Sequence, residues 1–336
     1  MCLFAAAFAV AALYVPGVTL VLVALGATVL VSAAARGARV ELDLTADRVE
    51  EGEHVTAAAR VSGGLAVACR GTLRLLPGVA PTQLDWRHRS AEQALRTVRR
   101  GRVTVGPATA RWADPFGLCS RERASAPREL LVLPRVQQLR SGELELIASL
   151  REPASSPTDG MELDGLREAV PGSPGSRIHW LTLARTGEWM ERRLCDDEDQ
   201  RPFTVVLDAR SAAGEGALDM AVRAAASLCL GLAAAGGCSL LVPGQPRVED
   251  LGPGLEAWAR LHELLALVTH GAAPRWDLVR QARRIVLVHP GPSQAPGEVP
   301  VSCSVSPVPQ AGAEVLFNVA GCAVAAVGGA RAVRAA

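Results

Sequence analysis

The N-terminal segment constrains the fold most, because no charged side chain occurs before Arg36. A membrane-spanning helix needs roughly 20 apolar residues to cross about 30 Å of hydrocarbon. Val18–Ala35 approaches that length, whereas Cys2–Tyr14 is short by a third or more, and Pro16-Gly17 separates the two. The pattern predicts a transmembrane helical hairpin over residues 1–35, and we expect the natural chain to begin further upstream.

A secretory signal peptide is the alternative for this segment, because Ala33-Ala34-Ala35 offers the small residues of a cleavage site. However, no positively charged region precedes the apolar run, and the run is too long for a signal peptide. Arg36 and Arg39 follow it directly, and an excess of Arg marks the cytoplasmic side of a span. We therefore expect a protein of the cell membrane, in contact with the lipid bilayer, whose soluble domains face the cytoplasm.

Composition excludes several classes of function. The 336 residues carry a net charge of +1 with 21% charged side chains, so there is no basic excess for nucleic-acid binding. A phosphate-binding loop of the G-x-x-x-x-G-K type needs a Lys, and the chain has none. The 8 cysteines are scattered without a C-x-x-C pair, which predicts reduced thiols and no structural metal. We expect no cofactor.

Residues 36–135 show short alternating apolar runs separated by turn residues. The predicted strands are Val40–Leu44, Val55–Val61, Leu73–Leu76, Leu95–Val98 and Val103–Val105. Short strands at this spacing are typical of an antiparallel β-sandwich of immunoglobulin-like type. Asp114-Pro115-Phe116-Gly117 is interpreted as a turn, with Asp114 as its cap.

Residues 136–200 have the composition of a linker that carries one distinctive stretch, Gly165–Leu194. The predicted elements are a helix at Gly142–Leu150, a linker at Pro153–Pro157, a helix capped by Ser176 and ended by Gly187, a strand at Glu188–Leu194 and a turn at Asp196–Asp199.

Residues 201–336 alternate between strand and helix patterns, which predicts an α/β domain with a parallel sheet. The predicted strands are Phe203–Leu207, Ser239–Val242, Arg284–His289 and Val301–Val305, and the predicted helices are Ala217–Ala235, Leu255–Thr269 and a closing helix at Val315–Val327.

Two groups of motifs make the chain resemble the bacterial domain-of-unknown-function 58 family. The first comprises Gly165-Leu166-Arg167, Pro171-Gly172, Arg177-Ile178-His179-Trp180, Ala184-Arg185, Gly187 and, more loosely, Arg192. The second comprises Arg100-Gly101-Arg102, Gly106-Pro107 and Asp114–Leu118. The chain departs from the family pattern at Val103 and Ala169, where an aromatic residue is usual, and at Ser173, where Asp is usual.

The resemblance implies a transmembrane hairpin, a β-sandwich and a von Willebrand factor A-like C-terminal domain. It also implies a partner among the MoxR-type AAA+ ATPases. The family resemblance gives an architecture and a class of role, but no defined reaction.

Asp208 ends the first strand of the α/β domain, where a von Willebrand A domain usually binds Mg²⁺ through Asp-x-Ser-x-Ser. The sequence here is Asp208-Ala209-Arg210-Ser211-Ala212. Arg210 brings a positive charge to the place of the metal, and Ser211 is one position off. The pattern predicts a degenerate site without metal, with Asp208 as a cap at the end of the strand.

The signature stretch offers a candidate partner-binding patch formed by Arg167, Gly172, Arg177, His179, Trp180 and Arg185. Arg guanidinium groups suit the recognition of acidic groups. The alternative is structural: Trp180 packs in the domain junction and the arginines pair with Glu168, Glu188 or Glu191. We expect a non-enzymatic, membrane-anchored adaptor; the alternative function is a metal-dependent hydrolase that uses Asp208 and the region of His179.

Overall fold

The computed structural model describes residues 11–63, 70–75, 81–83, 89–150, 162–168, 180–195, 203–210, 214–282, 284–291, 295–296, 299–308 and 313–327. The chain divides into two compact units, Met1–Arg135 and Val136–Ala336.

Helix α1 runs without interruption over Ala11–Ala35, with Pro16 inside it. The break predicted at Pro16-Gly17 is therefore wrong, and most of the first predicted span, Cys2–Tyr14, lies outside the described residues. Pro16 lacks the N–H that would donate to the Ala12 carbonyl, so one backbone hydrogen bond of the helix is missing here. The segment Tyr14–Ala35 is long and apolar enough to cross a membrane.

The remainder of the first unit, which we call the β-domain, is built from short strands. They are β1 Arg39–Leu44, β2 Arg48–Glu50, β3 His54–Ser62, β4 Arg70–Arg74, β5 Thr82–Gln83, β6 Ser90–Arg96, β7 Gly101–Val105, β8 Thr109–Ala113, β9 Ser120–Ala124 and β10 Arg128–Leu133. The sheets have the orders β1-β3-β6, β2-β10-β7 and β5-β4-β8-β9. The predicted strands at Val40–Leu44, Val55–Val61 and Val103–Val105 are confirmed as β1, β3 and β7, whereas those at Leu73–Leu76 and Leu95–Val98 overlap only the ends of β4 and β6. The pairing is antiparallel as expected except between β2 and β10, which are parallel.

One hydrophobic core joins these sheets. Strand β3 alternates buried and more exposed residues with period two, which places Val55, Ala57, Ala59 and Val61 on the inner face. Trp112 of β8 and Leu130 of β10 enter the same core from the other sheets.

The C-terminal end of helix α1 packs into that core. Ala27, Val31, Ala34 and Ala35 are buried, at the i, i+4, i+7 and i+8 spacing of one helix face. Next to Ala27 in the helix, the Thr28 hydroxyl lies 3.2 Å from the thiol of Cys119, the residue before β9. The last two turns of α1 are therefore part of the β-domain.

The signature stretch belongs to the second unit. Its elements follow helix α2 Ser141–Ala148 and are β11 Glu162–Glu168, helix α3 Trp180–Thr186 and β12 Met190–Cys195. Strands β11 and β12 pair antiparallel. The first predicted helix, the part of the second from Trp180 onward and the strand after Gly187 are confirmed, whereas β11 was not predicted. Ser176, Pro153–Pro157 and Asp196–Asp199 lie outside the described residues.

The second unit is built around a mixed sheet. Its elements are β13 Phe203–Leu207, α4 Glu215–Ala234, β14 Cys238–Leu241, β15 Glu249–Leu251, α5 Trp258–Ala266, a 3-10 turn at Trp276–Val279, β16 Ile285–Val288, β17 Val301–Ser306, β18 Val315–Val319 and β19 Cys322–Ala326. The strand order is β15-β14-β13-β16-β17-β19-β18. The four central strands are parallel as predicted, and the flanking strands are antiparallel.

The predicted closing helix at Val315–Val327 is wrong, because this stretch folds as the hairpin β18–β19. The two turn residues, Ala320 and Gly321, both have positive φ, of 49° and 84°. That combination matches the right-handed twist of a two-residue β-hairpin. An apolar Val- and Ala-rich run therefore pairs with itself and extends the sheet.

Helix α4 lies at the centre of the main core on one face of the sheet. It is apolar enough to span a membrane, but most of it is buried in this unit, as expected for a core helix. Ile147 and Leu150, around the end of α2, are buried in the same core. Gly231 lets the segment before α2 lie close to α4, since a Cβ at this position would come within 2.7 Å of Leu139 Cδ1.

Candidate functional site

Asp208 and His289 directly follow adjacent parallel strands, β13 and β16, in which Leu207 lies opposite Val288. The chain leaves β13 towards β14 on one side and returns to β16 on the other side. Such a reversal of strand order is where α/β sheets commonly bind ligands, at the carboxyl ends of the strands. This edge of the sheet is therefore the first candidate site.

The Asp208 carboxylate is 1% exposed and is held by Arg210. The guanidinium donates from Nη2 to Oδ2 at 2.7 Å and from Nε to Oδ1 at 3.0 Å, while the Arg210 backbone N–H also donates to Oδ1. These hydrogen bonds raise the pKa of Arg210. The cation thus covers both oxygens that a metal ion would use; Ser211 lies outside the described residues.

His289 is buried beside this pair. Its Nδ1 contacts the Gly291 carbonyl, which only accepts, so Nδ1 carries the proton and donates. The neutral ring then accepts at Nε2 from the Ser304 hydroxyl, at 2.7 Å. Burial lowers the pKa of His289, although the Gly291 carbonyl and the charge of Asp208 oppose that shift.

The chemistry available at this edge is limited, because its polar groups contact one another. A general base needs a ring nitrogen within reach of a substrate proton, and both nitrogens of His289 have protein partners. Among the residues that the structure describes, no three His, Cys, Asp or Glu side chains are grouped so as to hold a metal ion. These hydrogen bonds hold the loops after β13 and β16 in place.

The signature stretch provides the second candidate site. The register of β11 and β12 places Leu166 opposite Arg192 and Arg167 opposite Glu191. The strands at the two ends of the signature stretch are therefore neighbours in one antiparallel pair. Gly172, Arg177 and His179, which the sequence also singled out, lie outside the described residues.

Trp180 begins helix α3 and contacts Trp189, which precedes β12. The ring centroids are 6.4 Å apart at an interplanar angle of 63°, an edge-to-face arrangement. Gly187, with φ of 74°, ends the helix, and its N–H donates to the Leu183 carbonyl. This turn brings the second indole back to the first.

Both indoles remain largely accessible: Trp180 is 56% exposed and Trp189 is 55% exposed. Their mutual contact therefore covers only part of each ring. Leu181 is also exposed, and Arg185 is exposed on the last turn of α3, without an ion pair to Glu188 among the described side chains. We call Trp180, Leu181, Arg185 and Trp189 the signature patch.

Sequence reasoning missed Trp189 as a member of this patch. Its signal is the Gly that ends α3 two residues earlier, because a left-handed residue after a short helix reverses the chain. Two aromatic residues on either side of such a turn can then meet.

Comparison with known proteins assigns the chain to no family. The chain matches no protein-family model, and no curated protein matches it.

Proposed function

We propose that this chain is a membrane-anchored, non-enzymatic adaptor that binds a protein partner through the signature patch of its second unit. The partner implied by the family resemblance is a MoxR-type AAA+ ATPase. In this proposal the fold comprises an anchor helix, an immunoglobulin-like β-domain and a von Willebrand A-like α/β unit, and the soluble part faces the cytoplasm.

Anchoring is supported by helix α1. Its segment Tyr14–Ala35 is long and apolar enough to cross a membrane, and the last two turns of this segment also pack on the β-domain. Large apolar side chains such as Val15, Leu20 and Val21 are exposed on different faces of the helix. An apolar surface of this size is typical of contact with lipid or with another protein. Arg36 and Arg39 favour the cytoplasmic side for the domains that follow.

The single observation that carries the adaptor role is the pair of exposed indoles in the signature patch. Trp and Arg are enriched at the energetic centres of protein interfaces. The Trp180–Trp189 contact holds each ring against the other, so little side-chain freedom would be lost when a partner covers them. Arg185 adds a donor suited to a carboxylate on the partner.

The metal-dependent hydrolase has less support. It needs Asp208 as a ligand, yet Arg210 donates to both carboxylate oxygens. No observation in the described part of the chain favours this second function.

The experiment that tests the adaptor role measures binding of the full-length protein in detergent to a co-encoded MoxR-type ATPase. The double substitution Trp180→Ala and Trp189→Ala should weaken binding by at least about 30-fold, since a Trp at an interface centre contributes about 2 kcal/mol or more. Biolayer interferometry against the immobilised ATPase provides the readout.

The matched control is Leu267→Ala, which removes another exposed apolar side chain of the same unit. It should bind like the wild type. Trp180→Phe and Trp189→Phe keep the edge-to-face geometry and should retain most of the affinity. Equal affinity of the double variant and the wild type would contradict the assigned surface.

A further inference from the structure

The turn between β8 and β9, Asp114–Leu118, is a closed loop with an apolar tip. The Asp114 carboxylate accepts hydrogen bonds from the backbone N–H groups of Phe116, at 2.9 Å, and Cys119, at 2.6 Å. These bonds lower the pKa of Asp114. Gly117, with φ of 73°, completes the turn by donating to the Asp114 carbonyl.

The tip presents two large apolar side chains outward. Phe116 is 75% exposed, and Leu118 is more than half exposed. Because Asp114 is buried and fixes the backbone on both sides of the tip, their exposure is a fixed property of the turn rather than of a loose loop.

The contact between Thr28 and Cys119 places this turn beside helix α1. Thr28 lies within Tyr14–Ala35, the described segment that is long and apolar enough to cross a membrane. Cys119 and the turn before it therefore lie next to the proposed anchor.

The course of β9 shows which way the turn points. Cys119 at its start contacts the helix, whereas Arg128, four residues beyond its end, donates to the Leu42 carbonyl in β1. Since β1 follows α1 in the chain, β9 runs in the direction from the helix to the domain. The turn before Cys119 therefore points back along α1 towards Tyr14.

Basic side chains lie on the other side of Cys119. Arg111 of β8 and Arg121 and Arg123 of β9 are exposed, with Arg111 donating to the Ser120 hydroxyl. One acidic residue, Glu122, is exposed among them opposite Arg111, so the group keeps a net positive charge. An apolar tip with arginines behind it matches the boundary between acyl chains and headgroups, where Arg reaches anionic phosphates.

We propose that the Asp114–Leu118 turn is a second membrane contact, which inserts Phe116 and Leu118 into the headgroup–acyl boundary of the bilayer beside α1. This inference rests on the proposed anchoring by α1. Large apolar side chains at that boundary are typical of interfacial membrane contacts. The occupant of the exposed tip is lipid, and the hydrogen-bonded turn leaves few backbone groups to be desolvated.

The test uses the full-length protein in vesicles of phosphatidylcholine and phosphatidylglycerol, prepared with or without dibrominated acyl chains. Bromine quenches indole fluorescence on contact, so an added Trp reports its own depth. The substitution Phe116→Trp should add fluorescence that the brominated vesicles largely remove. The matched control is Val98→Trp, at a side chain that is 72% exposed and next to Thr97, which donates to Glu50 and Glu53 at the other end of the β-domain.

Fluorescence added by Val98→Trp should be the same in both kinds of vesicle. If the protein floats with vesicles after alkaline washing but Phe116→Trp is not quenched, the second contact is wrong and the anchor stands. If the protein does not float with vesicles, the anchor itself is wrong, and the inference fails with it.

Discussion

At the scale of single residues, the Asp208–Arg210 pair decides what the carboxyl edge of the sheet can bind. Asp208 offers at most two oxygens, and the guanidinium of Arg210 donates to each of them. Mg²⁺ demands near-octahedral oxygen coordination and gives up its waters reluctantly. A metal would have to displace a hydrogen-bonded cation at a buried carboxylate.

We therefore expect isothermal titration of the solubilised protein with Mg²⁺ or Mn²⁺ to show no saturable binding, and EDTA to leave partner binding unchanged. Asp208→Ala should lower the free energy of unfolding by about 1 kcal/mol, because hydrogen bonds are lost but Arg210 remains partly solvated. Stoichiometric metal binding at micromolar affinity that disappears in Asp208→Ala would revive the hydrolase alternative.

At the same scale, the sequence predicted the positive charge of Arg210 at the place of a metal, but not its hydrogen bonds to Asp208. Arg210 stands two residues after Asp208, so their pairing is a local event. The contact between Trp180 and Trp189 depends on the reversal at Gly187, whose geometry no residue pattern specifies in full.

At the scale of elements, the hairpin β18–β19 contains a strained turn residue. Ala320 adopts φ of 49°, a region that costs an L-residue roughly 1–2 kcal/mol. Gly321 supplies the second positive φ at no such cost, and the Ala320 N–H donates to Gln137 Oε1 at 2.7 Å.

Ala320→Gly should stabilise the hairpin by about 0.5–1 kcal/mol, because the relief of strain exceeds the added freedom of the unfolded chain. Native-state hydrogen exchange at the β19 amides measures this local stability. Ala323→Gly, within β19, provides the control and should lower it by a similar amount. Slower exchange in Ala323→Gly than in Ala320→Gly would show that turn strain is not what limits the hairpin.

The elements that could be predicted are those whose ends carry a recognisable sequence signal. Helix α4 begins after Gly214 and stops at Gly236-Gly237, so its Ala-rich pattern has both boundaries. The run Val315–Val327 lacks such marks, because Ala at a positive φ is no turn signal in a sequence. Strand β11 was missed because its charged residues hide any alternation and its partner β12 is distant in the chain.

At the scale of the whole molecule, the side of the membrane decides which partners the protein can meet. Gly63 is a poor place for a reporter cysteine, since a Cβ there would collide with the Gly37 carbonyl oxygen. Val98, exposed on the β-domain, accepts a substitution without this conflict.

We expect Val98→Cys to react with an impermeant thiol reagent only after intact cells are permeabilised, because Arg36 and Arg39 favour the cytoplasmic side. Labelling of the wild type gives the background from native cysteines. Labelling of Val98→Cys in intact cells would place the β-domain outside the cytoplasm and remove a cytoplasmic ATPase as partner.

Helix α1 and the β-domain form one mechanical body, because Val31, Ala34 and Ala35 belong to the core of the domain. The connection is tight as well, since the Ala38 N–H donates to the Ala35 carbonyl. A spanning helix adjusts its tilt when the thickness of the bilayer changes. With α1 as the anchor, we expect a change in bilayer thickness to change the angle at which the β-domain stands on the membrane.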